Sequence, residues 1–280
     1  MTIAHLTFRE AARRRLLLAV VVLAVLVVCL TGLGFSRLHT LRDSSDHALP
    51  PGQLRAIASV FVILIAYMFS LVLAVGAAFL AAPAIAADVE SGLFLAILPR
   101  PIRRSDVVLG KWFGLAFLLV SFTGVAGVAE LGLIHLITGY APPHPALAVL
   151  HLAAQSMILL TFSLLGSTRL SPITCGICAL VLFGIAWIAG IIGALGHTFH
   201  NVDLTHATTI IGLILPTDGF WRGAVYNLEP AVMSAMGSDW ATGNPLAVNA
   251  PPPTAFYLWA GCWVVVLLFL AIRSFDRRDL

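Results

Sequence analysis

Two ionisable residues, Glu130 and His135, lie inside a long apolar stretch, and their side chains could pass protons or contact a polar substrate. A carboxylate at membrane depth is costly, so it requires a buried partner or a polar path. The five-residue spacing separates the two by about 140° around a helix, so we do not expect them on one face. Two interpretations stay open. Glu130 ties helices together, which we favour, or Glu130 and His135 line a translocation path.

The sequence lacks other motifs that would carry chemistry. No GxxxxGK[ST], HExxH or GxSxG occurs, so we expect no P-loop ATP site and no catalytic residue in this chain. Cys175 and Cys178 have CxxC spacing inside an apolar span, where close helix packing is the simpler explanation. Histidines are scattered over the predicted outer side without an accompanying ligand cluster, so we predict no metal site. They are His39, His47, His144, His197, His200 and His206.

The composition is typical of a polytopic membrane protein. The chain has 280 residues, of which 60% are hydrophobic and 10% charged, and its mean hydropathy is +0.99. A soluble domain would carry about 25% charged residues. We therefore predict one transmembrane domain, residues 1–280, in contact with membrane lipid. The net charge of +3 comes from Lys and Arg gathered on one side, which indicates membrane orientation and not nucleic-acid binding.

The hydropathy pattern predicts an all-α fold with six transmembrane helices. A bilayer core needs about 20 apolar residues per helix, and six stretches meet that length. They cover approximately residues 16–35, 56–87, 112–137, 147–167, 173–196 and 255–272. The second stretch is too long for one straight crossing, so we expect the chain to kink or leave the membrane near Pro83.

The basic residues predict that both termini are cytoplasmic. Twelve of the sixteen Lys and Arg residues fall on the side of the termini. The other four are Arg37, Arg42, Arg55 and Arg222. The high Ala, Leu and Arg content with a single Lys is typical of a GC-rich bacterial genome, so we expect the bacterial plasma (inner) membrane.

The long outer region, residues 197–254, contains a second unusual apolar stretch. Residues 208–215 are apolar and end at Pro216, and they are too few to cross a bilayer as a helix. We therefore predict a re-entrant or interfacial element before the sixth span. The region is also long enough to bind an extracytoplasmic partner.

The segment between the second and third predicted spans, residues 88–111, combines an acidic start, an apolar stripe and a basic end. Asp88 and Glu90 begin a predicted short helix that lies parallel to the membrane. Two prolines end it, and Asp106 is expected to cap the next helix. The apolar stripe is Leu93, Phe94, Ile97 and Leu98, and Pro99 and Pro101 are the prolines. We predict a cytoplasmic surface on which a partner acts, with simple anchoring by positive charge as the alternative.

Three short motifs in this segment resemble the signature of ABC-2-type transporter permeases. They are Glu90-Ser91-Gly92-Leu93, Leu98-Pro99-Arg100-Pro101-Ile102-Arg103-Arg104 and Val108-Leu109-Gly110-Lys111. Leu93 stands where the family usually has Thr. Outside the segment, Pro216-Thr217-Asp218 resembles the NosY-like branch, which serves nitrous-oxide-reductase maturation.

The resemblance implies a six-span permease that pairs as a dimer, expected to be a homodimer, and that binds two separately encoded P-loop ATPase subunits. It implies that residues 88–104 form a coupling helix in a groove of the ATPase, which holds ATP and Mg. The residues that the resemblance assigns to coupling are Asp88, Glu90, Gly92, Arg100, Pro101, Arg103, Arg104 and Lys111. The chain itself would hold no cofactor and hydrolyse nothing, and it would export a substrate that the sequence does not specify.

Two alternatives belong to other functional classes. The first is an ATP-independent secondary transporter that uses Glu130 for proton coupling. The second is a membrane platform that relays ATPase motion to an extracytoplasmic partner through residues 197–254.

Overall fold

The chain folds into helices throughout the part that the computed structural model describes, which is residues 15–38, 51–91, 103–199, 201–228, 248 and 250–278. This confirms the predicted all-α class. The helices are α1 (Arg15–Leu38), α2 (Pro51–Ala81), α3 (Pro83–Glu90), α4 (Arg104–Thr138), α5 (Pro145–Ser167), α6 (Pro172–Thr198), α7 (Val202–Ile214), α8 (Thr217–Leu228) and α9 (Thr254–Asp276).

Five segments among the described residues are long and apolar enough to cross a membrane. They are Phe61–Glu90, Arg104–Ile137, Pro145–Ser167, Pro172–Gly196 and Thr254–Asp276. They correspond to the second through sixth predicted spans. The first predicted span corresponds to α1, whose described apolar part, Leu18–Gly34, is shorter. Helix α4 begins at Arg104, before the predicted apolar stretch that starts at Trp112.

Helix α5 occupies the centre of the bundle. It packs against α2, α3, α4, α6, α8 and α9. Leu159, Leu160 and Leu164 on α5 are completely buried. Two polar side chains on the same helix, Gln155 and Thr161, have partners on neighbouring helices, since an unpaired polar group in an apolar interior is costly. The Gln155 amide and the Ser70 hydroxyl, for example, lie 2.9 to 3.0 Å apart. This helix fixes the positions of the others.

The helix is interrupted for one residue next to Pro83, where a kink or an exit from the membrane was predicted. Proline lacks an amide hydrogen, so α2 ends at Ala81 and α3 starts at Pro83, although Ala82 between them keeps helical backbone angles. Two predictions next to this break were wrong. Asp88 and Glu90 lie in the last turn of α3 and do not begin a new helix. Asp106 does not cap α4, because the N-cap is Arg103, without a side-chain bond. The predicted helix in residues 92–102 lies outside the described residues.

Helices α7 and α8 form a hairpin before the last span, in which α7 has no buried residue and most of α8 is buried. Helix α7 runs back along α6. The two helices pack closely at two glycines of α6. A Cβ atom added to Gly196 would lie 3.1 Å from the Cβ of Leu204, and one added to Gly193 would lie 2.8 Å from the Thr208 hydroxyl. Pro216 follows the end of α7 at Ile214. Helix α7 therefore lies antiparallel to α6, and the prediction of a re-entrant or interfacial element stays a prediction.

Helix α8 returns to the end of the bundle that carries residues 139–144, which we call the outer end. Gly139 ends α4 in a left-handed conformation with φ of 67°, which glycine adopts without strain. The Tyr140 hydroxyl donates to the Leu228 carbonyl at 2.7 Å, and the His144 amide donates to the Asn227 carbonyl at 3.3 Å. These contacts hold the end of α8 against the α4–α5 connection.

Candidate coupling site

A buried ion pair links the two helices on either side of residues 92–102. The Lys111 ammonium contacts the carboxylate of Asp88 and the carbonyl of Ala84. Ala84 and Asp88 are four residues apart on α3, so both face α4. Only 8% of Asp88 and 7% of Lys111 are exposed. Both residues were predicted to contact a partner, but in this structure they contact each other and fix α3 against α4.

Apart from Arg104, which is described in the next paragraph, the other predicted coupling residues divide into two groups. Glu90 and Arg103 are exposed, at the last residue of α3 and directly before α4. They are available to a partner at the end of the bundle opposite the outer end, which we call the inner end. The remaining predicted residues, Gly92, Arg100 and Pro101, lie outside the described residues.

Arg104 has a structural contact that the sequence did not reveal. Its Nη1 atom lies 2.8 Å from the carbonyl oxygen of Phe275, 3.1 Å from that of Asp276 and 2.9 Å from that of Arg278. The guanidinium carbon also lies 5.6 Å from the centre of the Phe275 ring, a cation–π distance. Arg104 therefore binds the C-terminal end of α9, the last helix.

Further contacts join this end of α9 to the turn between α5 and α6. Arg278 donates to the Thr168 carbonyl at 2.6 Å, and Arg169 donates to the Ser274 hydroxyl and carbonyl, both at 3.1 Å. The hydroxyls of Thr168 and Ser274 lie 2.8 Å apart. We call these contacts, with those of Arg104, the inner-end network. Sequence reasoning treated its three arginines as orientation or coupling charges, because nothing local shows their partners.

Glu130 lies at a helix contact in the bundle interior. It is 4% exposed, and its Oε1 atom lies 2.5 Å from the Thr31 hydroxyl on α1. The same hydroxyl lies 2.9 Å from the Val27 carbonyl, which can only accept. The Thr31 hydroxyl therefore donates to the Glu130 carboxyl, with the Val27 carbonyl as a second acceptor within reach. Thus Glu130 joins α4 to α1.

The surroundings of Glu130 are apolar. Its Oε2 atom has no hydrogen-bond partner among the described residues. Glu130 borders a cavity of about 20 Å³, enough for roughly one water molecule, whose other lining side chains are all apolar. They include Ile65, Leu131 and Leu152. This setting favours a contact between helices over a continuous polar path.

His135 does not share the setting of Glu130. It is exposed in the last turn of α4, and its Nδ1 atom lies 3.3 Å from the Tyr140 carbonyl. The expectation that the two residues occupy different faces is confirmed. The structure does not bring them together as the lining of one path.

A second ion pair lies where the hairpin of α7 and α8 meets α6, and sequence reasoning missed it. Arg222 donates to the Asp218 carboxylate at 2.7 Å and to the Gly190 carbonyl at 2.5 Å. Burial raises the pKa of the Asp218 carboxyl, while the neighbouring guanidinium opposes that shift. The i, i+4 spacing of the two residues on α8 was the available signal.

The carbonyls at the end of α7 are bound by the last helix. Trp259 donates to the Leu213 carbonyl at 3.1 Å, and Trp263 donates to the Ile214 carbonyl at 2.9 Å. A helix leaves its last carbonyls without partners within the helix, and here the two indole groups supply them. Helix α9 is thus attached to the hairpin near its outer end and to Arg104 at its inner end.

The comparison with protein families identifies the family of this chain. A family model described as ABC-2 family transporter protein covers residues 1–280. The match is to the family as a whole and does not distinguish the NosY-like branch. The comparison with curated proteins gives no match.

Proposed function

Because the chain belongs to the ABC-2 family of transporter proteins and is a permease component of an ABC transporter, we propose that a separate P-loop ATPase drives it to export a substrate. In this proposal the ATPase holds ATP and Mg, and the permease hydrolyses nothing. Two copies of the chain pair in the bacterial inner membrane, with both termini in the cytoplasm. The inner end of the bundle then faces the ATPase.

The observation that carries the proposal is the buried Asp88–Lys111 ion pair. A segment that receives force must be attached to the spans that it moves, or its displacement is absorbed locally. The ion pair fixes the end of α3 to the first part of α4, so the two helices on either side of residues 92–102 are joined. Displacement of that segment therefore acts on the second and third spans together.

The coupling residues then have two roles. Exposed Glu90 and Arg103 contact the ATPase, with Gly92, Arg100 and Pro101 between them in the chain. The buried Asp88 and Lys111 keep the contact surface attached to the bundle. Differential contact with the ATPase in its two nucleotide states supplies the coupling free energy.

Co-purification tests this proposal. The tagged chain is isolated in mild detergent from its native host, as the natural sequence and as Glu90→Ala with Arg103→Glu. We expect a P-loop ATPase with the natural chain and its loss from the variant. The matched control is Asp276→Ala with Arg277→Glu, which makes the same change in net charge at exposed positions of the inner end. The absence of any ATPase from the folded natural chain would refute the proposal.

Neither alternative function has a specific observation in its favour. Glu130, the carboxylate that a secondary transporter would use, contacts Thr31 beside a small apolar cavity. The extracytoplasmic partner stays a proposal about residues 197–254. Deletion of residues 208–215 tests it, with the binding of periplasmic or extracellular proteins as the measurement.

A further inference from the structure

We infer that Arg104 is the positioning residue that transmits displacement of the coupling segment to the last span and, through that span, to the hairpin of α7 and α8. This inference rests on the proposed function and names a route through the permease. Arg104 is the first residue of α4, directly after residues 92–102 and the exposed Arg103. Arg104 is therefore the residue of α4 that lies nearest in the chain to the segment on which the ATPase is proposed to act.

The contact between Arg104 and α9 is well suited to carry motion. The three carbonyls that Arg104 binds lie at the end of a helix, where oxygens lack partners within the helix and carry partial negative charge. A charged donor to such oxygens forms a stronger hydrogen bond than a neutral one. Phe275, below the guanidinium, is completely buried. Movement of Arg104 therefore moves the end of α9.

Between its two ends, little of the last span is buried in the bundle, so little packing there resists such movement. In the most apolar 18-residue stretch of this span, 17% of the residues are buried in the bundle. The corresponding share in the other four candidate spans is 33% to 61%. Its buried residues are Ala260, Ala271 and Phe275. Two of these three lie at the inner end, close to where Arg104 binds. The position of α9 is thus set largely at that end.

The outer half of α9 binds the hairpin. Trp259 and Trp263 donate to the last carbonyls of α7, at Leu213 and Ile214. A continuous helix from Trp259 to Phe275 extends over about 24 Å at 1.5 Å per residue. The helix moves as a rod, because axial or tilting motion costs less than breaking its backbone hydrogen bonds. Displacement at Arg104 therefore reaches the turn between α7 and α8.

Hydrogen–deuterium exchange of the assembled permease–ATPase complex tests the inference. Exchange is measured in the nucleotide-free and ATP-analogue-bound complexes, for peptides that cover residues 83–91, 104–112, 208–216 and 270–278. In the natural chain we expect nucleotide to change exchange at residues 270–278 and 208–216 by about fivefold or more. In Arg104→Gln we expect that change to fall below about twofold, while residues 83–91 and 104–112 still respond.

Two variants serve as controls. Arg104→Lys keeps the positive charge near the α9 carbonyls, so we expect partial recovery of the response at residues 270–278. Arg277→Gln makes the same change in charge at an exposed neighbour on the same helix end, and we expect the natural response. The thermal midpoint of each variant is recorded, since a variant that only loosens the fold would alter exchange equally with and without nucleotide.

The outcomes separate the inference from the function on which it rests. Failure of the natural chain to bind an ATPase refutes the proposed function. If the ATPase binds and residues 104–112 respond, an unchanged response at 270–278 in Arg104→Gln overturns the inference alone. An equal loss in Arg277→Gln also overturns it, because the effect would then follow charge and not the Arg104 contact.

Discussion

Two buried carboxylates lie in very different settings in this molecule. Asp88, at the inner end, is paired with the Lys111 ammonium, and both are almost completely buried. Glu130, in the middle of the bundle, has the neutral hydroxyl of Thr31 as its partner and borders an apolar cavity. An isolated charge in such surroundings is strongly disfavoured. We therefore expect an ion pair at Asp88 and a neutral carboxyl at Glu130.

The difference indicates that the two regions have different structural roles. An ion pair is compatible with the inner end because the helices there terminate next to water and other charges. A neutral hydrogen bond joins α1 to α4 inside the membrane at much lower cost. The inner end can thus be rigid and charged where a partner acts, while the interior stays apolar.

The largest effect is expected when Lys111 is replaced by Met. Asp88 then remains buried without a cation, which costs about 3–5 kcal/mol of unfolding free energy. The measurement is chemical unfolding of the purified chain in detergent. Asp88→Leu with Lys111→Met removes both charges, so most of the stability should return. A double variant as unstable as the single one would show that the two residues do not act as a pair.

An intermediate case is the Asp218–Arg222 pair, whose side chains are 17% and 27% exposed. Arg222→Met removes a charged donor from both Asp218 and the Gly190 carbonyl, and we expect a loss of about 1.5–3 kcal/mol. The same unfolding measurement applies, with Arg277→Met as a control of equal change at an exposed site. A loss equal to that of Lys111→Met would mean that partial exposure does not weaken an ion pair here.

The spans were predictable because they depend on local properties of the chain. The apolar length of each span, the break at Pro83 and the short stretch before Pro216 are all visible along the sequence. The binding partners were not predictable, since they depend on which helices meet. Thr31 and Glu130 are 99 residues apart, and Arg104 and Phe275 are 171 apart. A sequence shows each of these polar groups alone.

The dependence on which helices meet also explains why some predictions about residues 88–111 were wrong. Asp88 and Lys111 look like parts of one charged loop, because the sequence does not show that α3 extends to Glu90. The helix continues since nothing after Pro83 interrupts it before that residue. Burial of the pair follows from this extension, as Asp88 then faces the first turns of α4.

Substitution of Glu130 tests the hydrogen bond between Glu130 and Thr31, the neutral contact in this comparison. Glu130→Ala removes the interhelical contact and enlarges the neighbouring cavity, and we expect a loss of about 1–2 kcal/mol of unfolding free energy. Glu130→Gln keeps the shape and an oxygen that accepts from Thr31, so we expect a loss below about 0.5 kcal/mol. Unfolding of both variants beside the natural chain measures this. Equal losses would contradict a neutral hydrogen bond at Glu130.

The smallest expected effect belongs to Thr31. Thr31→Val keeps the shape of the side chain and removes one hydroxyl, and interhelical hydrogen bonds in membranes contribute about 0.6 kcal/mol on average. A double-mutant cycle of Thr31→Val with Glu130→Ala isolates the coupling between the two residues, because each single variant removes the contact. We expect a coupling free energy near that value. A coupling of about 3 kcal/mol would be of the size expected for a buried ion pair, and Glu130 would then be ionised like Asp88.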